Sequence, residues 1–230
     1  MKFESSEILN KYVADISNET CLLSFSTGKD AIGSWLQLKK YFKKIIPCYY
    51  YLIPNLSFIE KSLRYYEDFF ETKIIRVPSP NFCKMLRTFI NQTPGNMDII
   101  KSFNIPNIDY LDLFNAVKED CGLPENTYTA VGVRASDSMI RYTAIKTHGA
   151  LNEKKKQFFP IFDWKIEKLV SEIRNAKVKL PVDYRLFGKT FDGLDYRFIK
   201  PIKEYYPDDY QKIKQLFPLT NLDIIRYEKL

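Results

Sequence analysis

The 230-residue chain contains no run of 18 or more apolar residues, so no segment reads as a membrane-spanning helix. Its polar opening, Met1 to Asn10, lacks the apolar centre of a secretory leader, and both absences point to the cytoplasm and away from a membrane. Histidine is reduced to His148, and Cys21, Cys48, Cys83 and Cys121 stand 27 to 38 positions apart with no CxxC pair. On that spacing neither zinc nor an iron–sulfur cluster is expected. Disulfides are not expected in a chain of this size without a leader. Repeats and low-complexity tracts are also missing. What remains is ordinary globular usage, 45% hydrophobic and 27% charged, which excludes wholesale disorder. A net charge of +7 favours anionic partners without choosing among nucleotides, nucleic acid and acidic lipid.

The apolar run Glu19 to Phe25 lacks helical spacing and is followed at once by Ser26-Thr27-Gly28-Lys29-Asp30, which reads as a buried strand ending in a tight turn. Ala31 to Phe42 then suits a helix packed on a sheet, closed by Lys39, Lys40, Lys43 and Lys44. A second strand is expected over Ile45 to Ile53, a helix from Ser57 to about Phe70, and a third strand over Lys73 to Val77. This alternation implies a parallel sheet with helices on both faces. Residues 80 to 125 read as mainly helical, Thr127 to Val133 as a fourth strand, and Ser136 to Lys146 and Lys165 to Asn175 as helices. The expected fold class is α/β, a Rossmann-like sandwich with a mainly parallel sheet of about five strands, a helical insertion and a C-terminal extension. Residues 1–178 are expected to form the nucleotide-binding domain, with 179–230 packed on it as the extension.

Two segments carry chemistry. Backbone N–H groups at the helix start after Gly28, joined by Lys29, make a compact receptor for phosphate oxygens. The second glycine and the Lys-Ser/Thr pair of a Walker A loop are absent. The bland alternative is a plain helix start, with Asp30 favourable to the helix dipole. The second segment, Gly132-Val133-Arg134-Ala135-Ser136-Asp137-Ser138-Met139-Ile140-Arg141, leaves the fourth strand where open parallel sheets bind ligands. An arginine there can fork two donors onto a phosphate or sulfate. The rival reading has Ser136 capping the helix, with Asp137 and Arg141 as an exposed i,i+4 pair.

The loop Ser26 to Ala31 resembles the SGGKDS-type PP-loop of the adenine-nucleotide α-hydrolase superfamily, to which phosphoadenylylsulfate (PAPS) reductases and N-type ATP pyrophosphatases belong. Thr27 replaces a common glycine, and Ala31 a usual serine. The segment Gly132 to Arg141 is similar to the GxRxxES/DSxxR signature of the PAPS reductases, and Pro160-Ile161-Phe162-Asp163-Trp164 to that family's P-I/L-x-D-W segment. The likeness extends over roughly residues 20 to 215, through Leu180 to Tyr184, Leu186 to Gly188 and Tyr206 to Tyr210. It looks most like small bacteriophage-encoded members, which implies the cytoplasm of a bacterial host. A reductase of this family attacks with a cysteine in its C-terminal tail, and residues 211 to 230 hold none; Cys121 reads as an ordinary small residue.

The resemblance implies a PP-loop enzyme that cleaves ATP at the α-phosphate, transferring the adenylyl group to an unknown acceptor and releasing pyrophosphate, or one that binds PAPS or adenylylsulfate. Lys29, Asp30, Arg134 and Arg141 are the expected catalytic residues. Ser24, Ser26, Thr27, Gly28, Asn55, Gly132 and Asp137 join them in nucleotide binding, with Asp30 near Mg²⁺. The alternative is a nucleotide-sensing or nucleic-acid-associated binding protein without turnover. A homo-oligomer and a nucleic-acid partner stand as open alternatives. Asp163 and Trp164 could close the site, His148 could touch a phosphate or act in proton transfer, and Lys154-Lys155-Lys156 could contact nucleic acid, although capping, core and solvated-surface roles explain all of these.

Overall fold

A computed structural model describes residues 5–15 and 20–229. Met1 to Glu4 of the polar opening and Glu19 of the first expected strand lie outside the described residues. The chain divides into two compact units: Met1–Tyr49, Tyr66–Arg76 and Leu111–Leu180 form the first, and Tyr50–Tyr65, Val77–Tyr110 and Pro181–Leu230 the second. The C-terminal part from Pro181 onward thus groups with two earlier stretches of chain.

The elements run α1 (Ser5–Asp15), β1 (Thr20–Ser24), α2 (Lys29–Leu38), β2 (Lys44–Tyr51), α3 (Ser57–Phe70) and β3 (Ile75–Pro78). Then come α4 (Pro80–Arg87), α5 (Pro94–Ser102), α6 (Tyr110–Asp120) and β4 (Thr129–Val131). A 3-10 turn (Ala135–Asp137), α7 (Met139–His148), β5 (Leu151–Asn152), β6 (Gln157–Phe158) and α8 (Ile166–Asn175) follow. The chain closes with α9 (Asp183–Phe187), α10 (Tyr196–Tyr205), α11 (Pro207–Leu216) and α12 (Asn221–Glu228).

The sheet has six strands in the order β3-β2-β1-β4-β6-β5. β1 is parallel to both β2 and β4, β4 is parallel to β6, and β5 is antiparallel to its neighbour β6. This is the expected α/β, mainly parallel architecture, with one strand more than anticipated because the two-residue β5 and β6 are too short to show a pattern. Cys21, Leu22 and Leu23 of β1 are fully buried, as a central strand covered on both faces requires.

In the first unit Phe25 meets Trp35 edge-on at 4.9 Å and Tyr66 at 5.3 Å, while Trp35 stacks on Phe70 at 4.0 Å. Such pairs add about 0.5–1.5 kcal/mol each beyond the area they bury. Gly33 of α2 faces α8, where a Cβ would run into Leu169 Cδ1, so the glycine lets α8 pack closely without moving that side chain. That packing seats α2 and therefore its first turn. Lys40 of the helix C-terminus pairs with Glu172 of α8 at 3.0 Å.

In the second unit Asp209 of α11 caps α3. Its Oδ2 accepts from Ser57 N and Oγ, both at 2.7 Å, and from Phe58 N at 3.3 Å. A buried carboxylate thereby satisfies orphan donors of the helix start. Asp183 is also fully buried, with Oδ2 accepting from Phe191 N at 2.9 Å and no hydrogen-bond partner for Oδ1. Burial pushes its carboxyl up to about 6, against the Phe191 N–H, which favours the charged form.

The folded protein therefore keeps a proton on Asp183 that the unfolded chain sheds from about pH 4, so this residue's contribution to stability falls as pH rises from about 4 to 6. The full change is on the order of 3 kcal/mol. Asp183→Asn should abolish it. In urea unfolding at pH 4.5 and 7, the variant's stability relative to wild type should rise with pH; a difference independent of pH contradicts the assignment.

Candidate functional site

The sheet order reverses between β1 and β4. The chain leaves β1 toward β2 on one side and returns as β4 on the other, so the loops after Ser24 and Val131 emerge together at a topological switch point. Crevices at such points, outside the carboxyl ends of parallel strands, are where open α/β sheets hold ligands.

After β1, Thr27 takes the left-handed region with φ of 60°. That conformation suits glycine and costs a β-branched residue roughly 1–2 kcal/mol. Gly28 then returns to extended geometry as the N-cap of α2, without a side chain to cap the first turn. Its carbonyl accepts from Ile32 N at 2.9 Å. The N–H groups of the first turn have no partner within the helix, and they define the positive end of its dipole.

After β4, Gly132 lies directly against that first turn. A Cβ here would stand 2.9 Å from the Asp30 carbonyl carbon and 3.0 Å from Ala31 N, both backbone atoms with no freedom to yield. The next side chain on the same edge, Arg134, can then reach across: its Nε donates to Asp30 Oδ1 at 2.6 Å. Its terminal nitrogens donate to Ser136 Oγ at 3.1 Å and to Asp137 Oδ1. Asp137 Oδ2 accepts from Arg141 at 2.8 Å, and Asp30 Oδ2 from Lys29 Nζ at 2.9 Å. Lys29, Asp30, Arg134, Asp137 and Arg141 form one chain of alternating charge, three cations and two carboxylates.

These contacts revise several expectations. Arg134, with its side chain only 4% exposed, is held by two carboxylates and a hydroxyl, so it is placed to orient Asp30 and Asp137 and not to fork onto an anion. Asp30, expected near Mg²⁺, spends one oxygen on Arg134 and the other on Lys29. Asp137 and Arg141 do form the i,i+4 pair, but as the end of a network that reaches the loop. Ser138, not Ser136, caps α7 by accepting from Arg141 N at 3.2 Å. Ser136 donates instead to the Trp164 carbonyl at 3.1 Å, and Ala135 N donates to the Phe162 carbonyl at 2.8 Å.

The segment Pro160 to Trp164 therefore acts through its backbone, which pins the turn carrying Arg134. Its Asp163 accepts from Ser5 N at 3.1 Å, and the Trp164 ring is buried with Lys168 over it at 5.0 Å, so neither side chain is poised to close the crevice. Spacing could not reveal this backbone role. Ser24 pairs in register with Cys48 and Val131, and Ser26 is exposed on the loop. Asn55 belongs to the second unit, where its φ is 57° and its carbonyl accepts from Lys212 at 2.7 Å. His148 ends α7, exposed.

No family model matches the chain, and no curated protein is similar to it. Among solved structures, the U34-tRNA thiolase NcsA from Methanococcus maripaludis with its 4Fe-4S cluster is similar at 13% identity, over 94% of this chain and 78% of that one, with a TM-score of 0.48. A predicted subunit of tRNA methyltransferase from Methanocaldococcus jannaschii is similar at 15% identity, over 83% of this chain and 91% of that one, with a TM-score of 0.34. No residue role is carried across from either.

The thiolase does correct one expectation. Its structure holds a 4Fe-4S cluster, and the expectation that excluded an iron–sulfur cluster does not stand. Among the described residues no three His, Cys, Asp or Glu side chains are gathered to share a metal. Cys21, Cys83 and Cys121 are free thiols. Burial pushes Cys21 up to about 12.

Gly132→Ala should force β4 and the first turn of α2 apart, lowering stability by about 1–3 kcal/mol and the melting temperature by about 3–10 °C. Gly95→Ala, whose Cβ would meet open space, serves as the control and should change little. Equal melting temperatures for the two variants contradict the close approach.

Proposed function

We propose that the crevice at the switch point binds the phosphates of an adenine nucleotide, and that the protein is a PP-loop enzyme of PAPS reductase-like type. In this reading it cleaves ATP between the α- and β-phosphates. The observation that carries the reading is the uncapped first turn of α2, with Lys29, set at the sheet's switch point beside the network of Arg134. Donors fixed in advance favour the charge that develops on phosphate oxygens, because no reorganisation is needed as the bond breaks.

The roles divide as follows. Ser26, Gly28 and the N–H groups of the first turn hold the phosphates, and Lys29 adds the mobile cation. Asp30 orients Lys29, and Arg134 orients Asp30 and Asp137. Arg141, with its side chain half exposed, brings a second cation to the rim. An acceptor nucleophile attacks the α-phosphorus; the bond to the β-phosphate oxygen breaks, and pyrophosphate leaves with the electron pair. The adenylyl group stays on the acceptor, whose proton passes to solvent. Charge spread over the phosphoryl oxygens during such a displacement is met by the lysine and the amides. PAPS or adenylylsulfate would present the same adenylyl phosphate to the same donors, with sulfur chemistry left to an external thiol.

Calorimetric titration with ATP, adenylylsulfate and PAPS, joined to a pyrophosphate-release assay, tests this. At least one of the three should bind, and Lys29→Ala should weaken that binding about tenfold or more, the scale of one charge-assisted contact. Binding without pyrophosphate release overturns the turnover and leaves a nucleotide sensor. Wild-type affinity in Lys29→Ala overturns the site itself.

A further inference from the structure

A second concentration of charge lies at the other edge of the sheet. Glu125 and Asn126 shortly precede β4, and Lys154, Lys155 and Lys156 directly precede β6. These two strands are parallel, so both groups stand at the strands' amino ends, whereas Gly132 and Arg134 follow the carboxyl end of β4. Together with Asn115 and Lys118 of α6 they line a cleft of about 450 Å³.

Its electrostatics are lopsided: four ammonium groups face one carboxylate, Glu125. Lys118 is 4% exposed and lies beneath them; its carbonyl accepts from Leu123 N at 2.8 Å, while among the described residues its ammonium makes neither a salt bridge nor a hydrogen bond. Burial pushes its ammonium below the usual lysine range, and the nearby Lys156 pushes it the same way. Glu125 pulls the other way, and a buried ammonium with so little compensation is costly to keep charged. The backbone nevertheless fixes this geometry. The Lys156 carbonyl accepts from Thr129 N at 2.8 Å, which ties the lysine turn to β4. Lys156 Nζ sits over the Tyr128 ring at 5.3 Å, and Lys155 N donates to Asn152 Oδ1 at 2.9 Å. Lys154 and Lys155 are exposed at the rim.

A deep lysine below a rim of consecutive lysines suits a chain of anions better than a single compact one. One phosphate can enter toward Lys118 while its neighbours along the strand meet the rim. Lysines, unlike arginines in a bidentate fork, grip phosphate as point charges and read no base. We propose that this cleft binds the phosphates of a single nucleic-acid strand, as a site separate from the nucleotide crevice. The two sites stand or fall independently.

The test uses the full chain and a labelled single-stranded RNA of roughly 12 nucleotides, followed by fluorescence anisotropy between about 50 and 200 mM salt. Lys118→Met, which keeps the aliphatic stem, and the exposed pair Lys154→Ala with Lys155→Ala should each weaken binding about tenfold. The rim pair should also flatten the slope of log K against log salt by about 1.4, two contacts at roughly 0.7 each for a single strand. ATP affinity should stay at the wild-type value in these variants, and Lys29→Ala should leave RNA affinity unchanged. Circular dichroism checks that Lys118→Met folds; the rim pair, fully at the surface, keeps the test decisive if it does not.

Inorganic tripolyphosphate distinguishes the two sources of phosphate. Displacement of the RNA only at millimolar concentration supports the strand. Micromolar tripolyphosphate binding that is lost in the variants, without RNA binding, keeps a phosphate site but overturns the strand as its ligand. No RNA or tripolyphosphate binding by wild type, or equal binding by all variants, overturns the proposal.

Discussion

The contact between Asp30 and Arg134 joins two loops that lie 104 residues apart in the chain, and the crevice depends on it. It forms because Gly132 lets the exit of β4 lie against the first turn of α2. The pair is shielded from water on the arginine side, where losing one partner leaves a buried charge and costs about 3–5 kcal/mol. Its value is geometric. Asp30 is held by Arg134 and in turn holds Lys29, so the cation of the loop is fixed at the first turn of α2. Asp137 plays the matching part toward Arg141.

Much of the scaffold is legible in the sequence because buried parallel strands are continuous apolar runs. Glu19 to Phe25 and Ile45 to Ile53 read as strands for that reason, where the structure has Thr20–Ser24 and Lys44–Tyr51, and the helix read from Ser57 to about Phe70 is found over Ser57–Phe70. The fourth strand is shorter than its apolar run suggests, since Gly132 already bends toward α2. The C-terminal part, punctuated by prolines and glycines, conceals four helices. Pro207 begins α11 at its first turn, where the missing N–H costs nothing, and Pro201 sits inside α10. Punctuation was thus a poor guide to where helices stop.

The residues of the charge network were legible as types and positions, but their partners were not. Spacing finds Asp137 and Arg141, four apart, and it cannot find Asp30 as the partner of Arg134. Nor can it tell that the turn carrying Arg134 is pinned by the carbonyls of Phe162 and Trp164. An arginine read as a ligand clamp is a brace between Asp30 and Asp137. The left-handed Thr27 is the opposite case: a departure from the PP-loop pattern visible in the sequence acquires its physical meaning only from φ. At the amino ends of β4 and β6 the plain run Lys154-Lys155-Lys156, unremarkable in the sequence, gains weight from the buried Lys118 beneath it.

A double-mutant cycle on thermal and urea stability with Asp30→Asn, Arg134→Gln and the pair tests the brace most directly. The account predicts a coupling energy of about 1–3 kcal/mol between positions so far apart in sequence. Effects that add to within about 0.3–0.5 kcal/mol would mean that the two loops are held by something else, and the crevice built on their contact would lose its basis.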